Sequence, residues 1–412
     1  MISVDRTVDG VRIQGRYDPA FSPVLEEFIT NFVSRNEVGA SLCFAVDGAP
    51  RMDVWGGFVD EKRSAPWQHD SVSVVFSCTK GATALCAHLL VDRGLLDLQA
   101  PVARYWPQFA RGAKAHTTVT ILLNHSAGLP AFREPIKPDG YYDWDYMITR
   151  LENEEPFWEP GTRNGYHMIS FGWLVGELVR RASGKSLGTF FREEIALLLG
   201  LDFWIGLPEA IEPRVSRMIA FRPDKAAPMS DFTTAIIADR ASIQALALLN
   251  SGGHTTDSRA AHAAEIGGGG GITNACGLAG MYRPLANRGL DNNGRPFIGN
   301  DTITRAAQAS MATQRDATLL IPTRFSLGFM KSMDNRARPA GNQDSVILGE
   351  KAFGHVGAGG SIGFADPECH LAFGYAMNRM GAGILLNERG QSLVDATYRA
   401  LGYAGNGGGV WA

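Results

Sequence analysis

Ser77 and Lys80 stand three residues apart in Val74-Val75-Phe76-Ser77-Cys78-Thr79-Lys80. A serine hydroxyl becomes a useful nucleophile when a neighbouring base takes its proton. A lysine amine is that base only when neutral, and burial or a helix N-terminus both disfavour the ammonium. If a helix starts near Ser77, positions 77 and 80 share one of its faces. Its first turn also leaves backbone N–H groups free, one of which can face an oxyanion. Read alone, a Ser-x-x-Lys string is common, and a plain helix start with a surface lysine is the bland alternative.

The neighbouring residues favour a buried helix. Gly81-Ala82-Thr83-Ala84-Leu85-Cys86-Ala87 is small or apolar on nearly every side, as in a helix enclosed by a core. Gly94 then stands where helices commonly end.

Two later stretches can complete the chemistry. Tyr166 closes the loop Trp158-Glu159-Pro160-Gly161-Thr162-Arg163-Asn164-Gly165. A phenol there can relay a proton between Ser77, Lys80 and a leaving group if the lysine lowers its pKa; the alternative is a packing aromatic. Gly354-His355-Val356-Gly357-Ala358-Gly359-Gly360-Ser361 leads into a predicted strand. Its glycines let backbone approach a ligand closely, and the Ala358 N–H can join that of Ser77 in an oxyanion hole. A glycine-rich turn is the alternative.

A competing motif overlaps this stretch. Gly359-Gly360-Ser361-Ile362-Gly363 matches the G-x-S-x-G elbow of α/β-hydrolases. That elbow needs a strand before it and a helix after it. Here the following residues read as a strand and then a turn at Asp366-Pro367-Glu368, so Ser361 is the weaker nucleophile.

These groups must be positioned by a split architecture. Ser22-Pro23 opens an amphipathic helix to about residue 36. Residues 40–46 and 52–58 read as strands around Asp47-Gly48, a hairpin signal. The opening is thus helix, strand, strand. Residues 117–124, 168–182, 190–199, 240–249 and 277–285 read as helices. The glycine run 267–271 reads as a flexible loop without the Lys-Ser/Thr of a phosphate loop. Strands return at 325–331, 359–365 and 371–377, followed by a helix over 391–401 and a disordered tail over 405–409. The fold class is α/β in the α+β sense. An antiparallel sheet flanked by helices, from residues 1–100 and 320–412, holds a large, mostly helical inserted domain at 101–319. The cleft between them is the expected active site.

The totals limit the partners. The 412 residues carry a net charge of −3 and 45% hydrophobic residues, which suits a globular protein and gives no long-range case for nucleic acid or an anionic membrane. The first residues lack a signal-peptide pattern, and no apolar run approaches a membrane span. Five cysteines are scattered without metal-ligand spacing, which implies free thiols in a reducing, cytoplasmic setting. The nine histidines include no H-x-H or H-E-x-x-H set, so neither a metal nor another cofactor is expected. His125, on a turn without a spaced carboxylate, reads as a structural hydrogen-bonder. Tyr141, Tyr142, Trp144 and Tyr146 form an aromatic cluster; Tyr141 and Trp144 are candidates for a substrate pocket, with core packing the alternative.

As a set, these residues resemble the serine β-lactamase and penicillin-binding-protein superfamily, in particular its class C-like branch with the family VIII carboxylesterases. The resemblance runs over nearly the whole chain. It is carried by Ser77-Cys78-Thr79-Lys80-Gly81, Asp92-Arg93-Gly94-Leu95-Leu96-Asp97-Leu98 and Leu122-Leu123-Asn124-His125-Ser126-Ala127-Gly128-Leu129. Trp158-Glu159-Pro160-Gly161 with Tyr166, Gly354-His355-Val356-Gly357 and Gly363-Phe364-Ala365-Asp366-Pro367 complete it. The resemblance implies Ser77 as nucleophile, Lys80 as its base or relay, and Tyr166 as a second acid/base. Two departures carry information. Met168 stands where the family's tyrosine motif usually has Asn. His355-Val356-Gly357 replaces the Lys-Thr-Gly box that helps hold a substrate carboxylate, and a histidine is largely neutral near pH 7. His355 and Gly357 therefore line a substrate site suited to an ester, which needs no carboxylate contact. The resemblance implies a serine esterase acting on small ester substrates. Amide-directed activity, acyl transfer and a non-catalytic scaffold are the alternatives.

Overall fold

The computed structural model describes residues 1–224 and 226–412. The chain opens on a hairpin of β1 (Ile2–Val8) and β2 (Val11–Tyr17). Asp9 and Gly10 make its turn with φ of 49° and 77°, the left-handed pair that a two-residue hairpin loop requires. Helix α1 (Ser22–Ser34) follows, then a second hairpin, β3 (Gly39–Val46) and β4 (Ala49–Gly57), turning at Asp47-Gly48. Helices α2 (Cys78–Asp92), α3 (Ser170–Ser183) and α4 (Ala275–Ala286) lie in the middle of the chain. Strands β5 (Phe353–Val356), β6 (Ile362–Asp366) and β7 (Leu371–Met377) precede the closing helix α5 (Glu388–Ala400).

The early and late strands join in one seven-stranded sheet, in the order β1-β2-β4-β3-β7-β6-β5. The seam is antiparallel β3–β7, with Ala40 opposite Met377 and Val46 opposite Leu371. One face packs against α1 and α5 through Leu25, Phe28, Phe44, Phe373, Leu393 and Tyr398. The other receives α4, and two glycines make room for it. A Cβ on Gly374 would lie 2.2 Å from Ala275 O, and one on Gly363 2.8 Å from the Tyr282 ring. So α4, although drawn from the 101–319 segment, belongs to the sheet's packing. The remaining helices gather around α2 and α3 in a second core that includes Leu85, Trp106, Phe109, Phe171, Trp173 and Leu178. Every residue of α2 from Cys78 to Leu90 is buried, as its all-round apolar pattern predicted.

Several expectations needed correction. The chain begins strand, strand, helix; the Asp9-Gly10 turn between alternating apolar residues was the signal for that hairpin. Of the expected strand 325–331 only Phe325 lies in a strand, as the last residue of Thr323–Phe325, because Gly328 turns the chain with φ 89°. Likewise β6 starts at Ile362, since Gly359 and Gly360 hold φ of 86° and 118°. The expected helix 190–199 is helical throughout, starting at Leu187 and widening by one residue per turn over Arg192–Ala196. The tail is ordered: Trp411 is buried, its ring 5.8 Å from that of Tyr398, and its N–H donates to Leu348 O at 3.0 Å. Nor is the glycine run 267–271 a free loop. A Cβ on Gly268 would lie 2.3 Å from Ile169 O, so close packing explains its composition. Among the described residues no single helix is long and apolar enough to cross a membrane.

Candidate active site

Ser77 is presented by a strained turn. The chain leaves the short strand Ser73–Val74 and doubles back at Phe76, whose φ is 44°. A bulky aromatic in the left-handed region costs of order 1–3 kcal/mol and persists only when its surroundings impose it. Here the glycine run imposes it. Val75 N–H donates to Gly271 O at 2.9 Å, and Gly271 N–H donates to Thr79 Oγ1 at 2.8 Å. Thr79 Oγ1 in turn donates to Phe76 O at 2.5 Å. The turn leaves Ser77 half-buried at the N-cap of α2.

Lys80 lies one turn further along and is fully buried. Its Nζ is 2.9 Å from Ser77 Oγ, 2.6 Å from Met168 O and 2.6 Å from Gly268 O. Among the described residues no carboxylate pairs with it. Burial holds its pKa well below the ordinary lysine range, in the direction that favours a neutral amine. A neutral amine has two N–H donors and one lone pair. The two carbonyls can only accept, so they take both N–H groups and leave the lone pair facing the Ser77 hydroxyl. That arrangement can serve as a base aimed at a nucleophile.

Tyr166 reaches the same point from the loop before α3. Lys80 Nζ sits 4.8 Å from the centre of its ring. The phenol is buried and lies beside Ser77, whose hydrogen-bonding influence partly offsets the burial that raises its pKa. Its oxygen is not aligned for a formed hydrogen bond with any described residue. The expected lowering by the lysine is therefore corrected: an uncharged amine exerts no such pull, and the phenol stays protonated. Buried Asp316 fixes the tyrosine backbone by accepting the Tyr166 N–H at 3.0 and 3.1 Å. The same carboxylate accepts the N–H groups of Thr318 and Leu319, both at 2.8 Å.

The remaining predicted groups divide into two sets. β5 brings His355, Gly357 and Ala358 against the start of α2, with Cys78 Sγ donating to His355 O at 3.2 Å. A Cβ on Gly357 would lie 2.3 Å from Val75 O, so only glycine admits this approach. Neither the Ser77 nor the Ala358 N–H has an acceptor among the described residues. His355 donates from Nδ1 to Val356 O at 2.7 Å, and its ring lies 6.0 Å from that of Tyr166. Burial lowers its pKa to about 3, so this imidazole offers no positive charge at neutral pH.

Tyr141 and Trp144, by contrast, are packing residues. Tyr141 stands edge-on to Trp173 at 5.0 Å and donates its hydroxyl to Asn250 O at 3.1 Å. The Trp144 indole N–H donates to Glu177 Oε2 at 2.9 Å, about 10 Å along α3 from its start at Ser170. Their polar tips are committed to structural partners, which favours the core-packing alternative. His125 is structural as expected: its Nδ1 accepts the His167 N–H at 3.2 Å, and its ring lies 5.0 Å from that of Tyr166. Ser361 is buried, followed by strand β6, and donates to Val75 O at 3.3 Å, so it is no exposed elbow.

Sequence reasoning missed Asp316 and the carbonyls of Met168 and Gly268. The absent Asn at position 168 was the available signal for one of them. Here the backbone of that same residue, rather than a side chain, holds the lysine.

A family profile described as Beta-lactamase matches residues 25–395. The chain is 36% identical over 391 residues to the esterase/beta-lactamase LipL of Mycobacterium tuberculosis, covering 92% of this chain and 86% of that protein. The crystal structure of a family VIII carboxylesterase superposes with a TM-score of 0.82 at 38% identity, covering 94% of this chain and 99% of that one. A penicillin-binding protein homolog from Caulobacter crescentus gives a TM-score of 0.82 at 32% identity, with the same coverage.

Proposed function

The chain belongs to the beta-lactamase family, and within it we propose a carboxylesterase that works through an acyl-enzyme on Ser77. The observation that carries this reading is the wiring of Lys80. Two carbonyls occupy its N–H groups at 2.6 Å, and Ser77 Oγ stands 2.9 Å away on the remaining side.

Ser77 Oγ attacks the ester carbonyl as its proton passes to Lys80 Nζ. The oxyanion faces the N–H groups of Ser77 and Ala358. Tyr166, protonated because it is buried, gives its proton to the departing alkoxide and is recharged from the Lys80 ammonium. A water molecule then attacks the acyl-enzyme. Its proton passes to the Tyr166–Lys80 pair and on to Ser77 Oγ as the acyl–oxygen bond breaks, which frees the acid and restores neutral Lys80.

The substrate class follows from His355 and Gly357. A neutral buried imidazole gives a substrate carboxylate little to hold, whereas an uncharged ester forgoes nothing there. The likeness to a family VIII carboxylesterase and to an esterase/beta-lactamase supports this choice. The likeness to a penicillin-binding protein homolog keeps amide cleavage as the second reading. An aryl butyrate and a chromogenic cephalosporin, compared by kcat/KM, separate them. The esterase reading expects the ester to be preferred by at least a hundredfold, and a preference for the cephalosporin refutes it. All five cysteines are free thiols, which supports a reducing, cytoplasmic setting.

A further inference from the structure

We propose that Cys43, Cys276 and Asp53, with His69 as the fourth donor, form a site for a thiophilic divalent cation of the zinc class. The donors come from three elements and an adjoining loop that only the fold brings together. Cys43 of β3 is in register with Asp53 of β4. Its other neighbour is Gly374 of β7, and the missing side chain there lets α4 descend and set Cys276 over the pair. The two Sγ atoms and a carboxylate oxygen of Asp53 all lie within 4.8 Å of one another. Cys276 Sγ is 3.2 Å from Asp53 Oδ1, and His69 Nε2 is 3.3 Å from Asp53 Oδ2.

The Cys276–Asp53 separation is on the scale of a tetrahedral site, the other pairs of that trio lie within 4.8 Å, and His69, bonded to the second Asp53 oxygen, would swing in as the fourth donor. With Zn–S near 2.3 Å and Zn–O or Zn–N near 2.0–2.2 Å, donor atoms stand roughly 3.3–3.8 Å apart. Thiolate, imidazole and carboxylate together select zinc-like ions over magnesium or calcium. The three nearest donors are only partly buried and His69 is exposed, so an ion has a way in. Nothing in the hydrolytic mechanism uses these groups.

Loading is balanced by protons. Each cysteine releases its thiol proton to solvent as its sulfur binds, and any second ring proton on His69 leaves likewise. The two thiolates and Asp53 leave the occupied site with one net negative charge. Arg283 on α4, whose guanidinium feels the Cys43 sulfur, offsets it. An occupied site would tie β3, β4 and α4 to the loop carrying His69.

The test is anaerobic titration of the fully reduced, full-length protein with Co²⁺, read by the thiolate-to-cobalt charge-transfer band and the visible bands of tetrahedral cobalt. One equivalent should develop both, and Zn²⁺ should displace it. Cys43→Ser and Cys276→Ser should each abolish the charge-transfer intensity expected of two thiolates, and His69→Ala should weaken affinity at least tenfold. Ser77→Ala should bind as the wild type does. In parallel, Zn²⁺ should protect Cys43 and Cys276, but not Cys369, from alkylation read by mass spectrometry. The proposal fails if the reduced protein gives no charge-transfer band, or if Cys276→Ser gives the same band. It also fails if these two thiols do no more than form a disulfide in air.

Discussion

Lys80 is a buried amine without a carboxylate, and that makes its charge state measurable through stability. In the unfolded chain a lysine holds its proton to about pH 10.4. In the fold, burial shifts the pKa well down, so at every pH between the folded and the unfolded pKa the unfolded state binds one more proton than the native state. Stability contributed through this group therefore rises with pH, by about 1.36 kcal/mol per pH unit, and is lost as pH falls. Over two units the change is about 2.7 kcal/mol. Lys80→Met keeps an unbranched apolar side chain in the same cavity and removes the proton. The assay is urea unfolding of both proteins at pH 7 and pH 9, followed by two optical probes. The wild type should gain more than the variant over this interval, by up to about 2.7 kcal/mol, whatever the variant's absolute stability. The absolute value is a poorer guide, because the variant also strands the Met168 and Gly268 carbonyls at of order 1–3 kcal/mol each. Identical pH dependence in the two proteins would show that Lys80 stays charged and is no base.

Three further outcomes follow from the same geometry. Tyr166→Phe should lower kcat/KM for an alkyl ester at least a hundredfold, but far less for a p-nitrophenyl ester, whose leaving group departs without protonation; equal losses would deny the phenol its role as acid. Gly268→Ala drives a Cβ to within 2.3 Å of Ile169 O and displaces a carbonyl that holds Lys80. It should cost at least tenfold in kcat with KM little changed, and unaltered turnover would show that this carbonyl is dispensable. With its pKa near 3, His355 should show no imidazole titration by NMR from pH 5 to 8, and a midpoint near 6.5 would contradict its burial as a neutral ring.

What could be read in the sequence was local, and what could not was set by distant packing. Ser77 and Lys80 share a helix face by spacing alone, and the all-round apolar pattern of α2 announced its burial. Asp47-Gly48 revealed its hairpin through turn chemistry, and Asp9-Gly10 offered the same signal for β1 and β2. Other features have no local signature. Composition made the glycine run look mobile, yet its glycines are there so that backbone can touch Ile169, Thr79 and Lys80. Aromatic residues at 141 and 144 look alike in a pocket and in a core, and only their bonds to Asn250 and Glu177 decide. Cys276 and Asp53 are separated by 223 positions, so no spacing rule could join them. The phenol's charge state could not be read either, because it depends on the lysine being neutral in the folded protein.

The central claim is that one serine, Ser77, is activated by Lys80. The most direct measurement is mass spectrometry of the protein after treatment with a serine-directed alkyl phosphonate. The account predicts a single adduct on the Ser77 peptide, unchanged in Ser361→Ala and absent in Ser77→Ala. An adduct on Ser361, or no adduct in a folded wild-type protein, would contradict it.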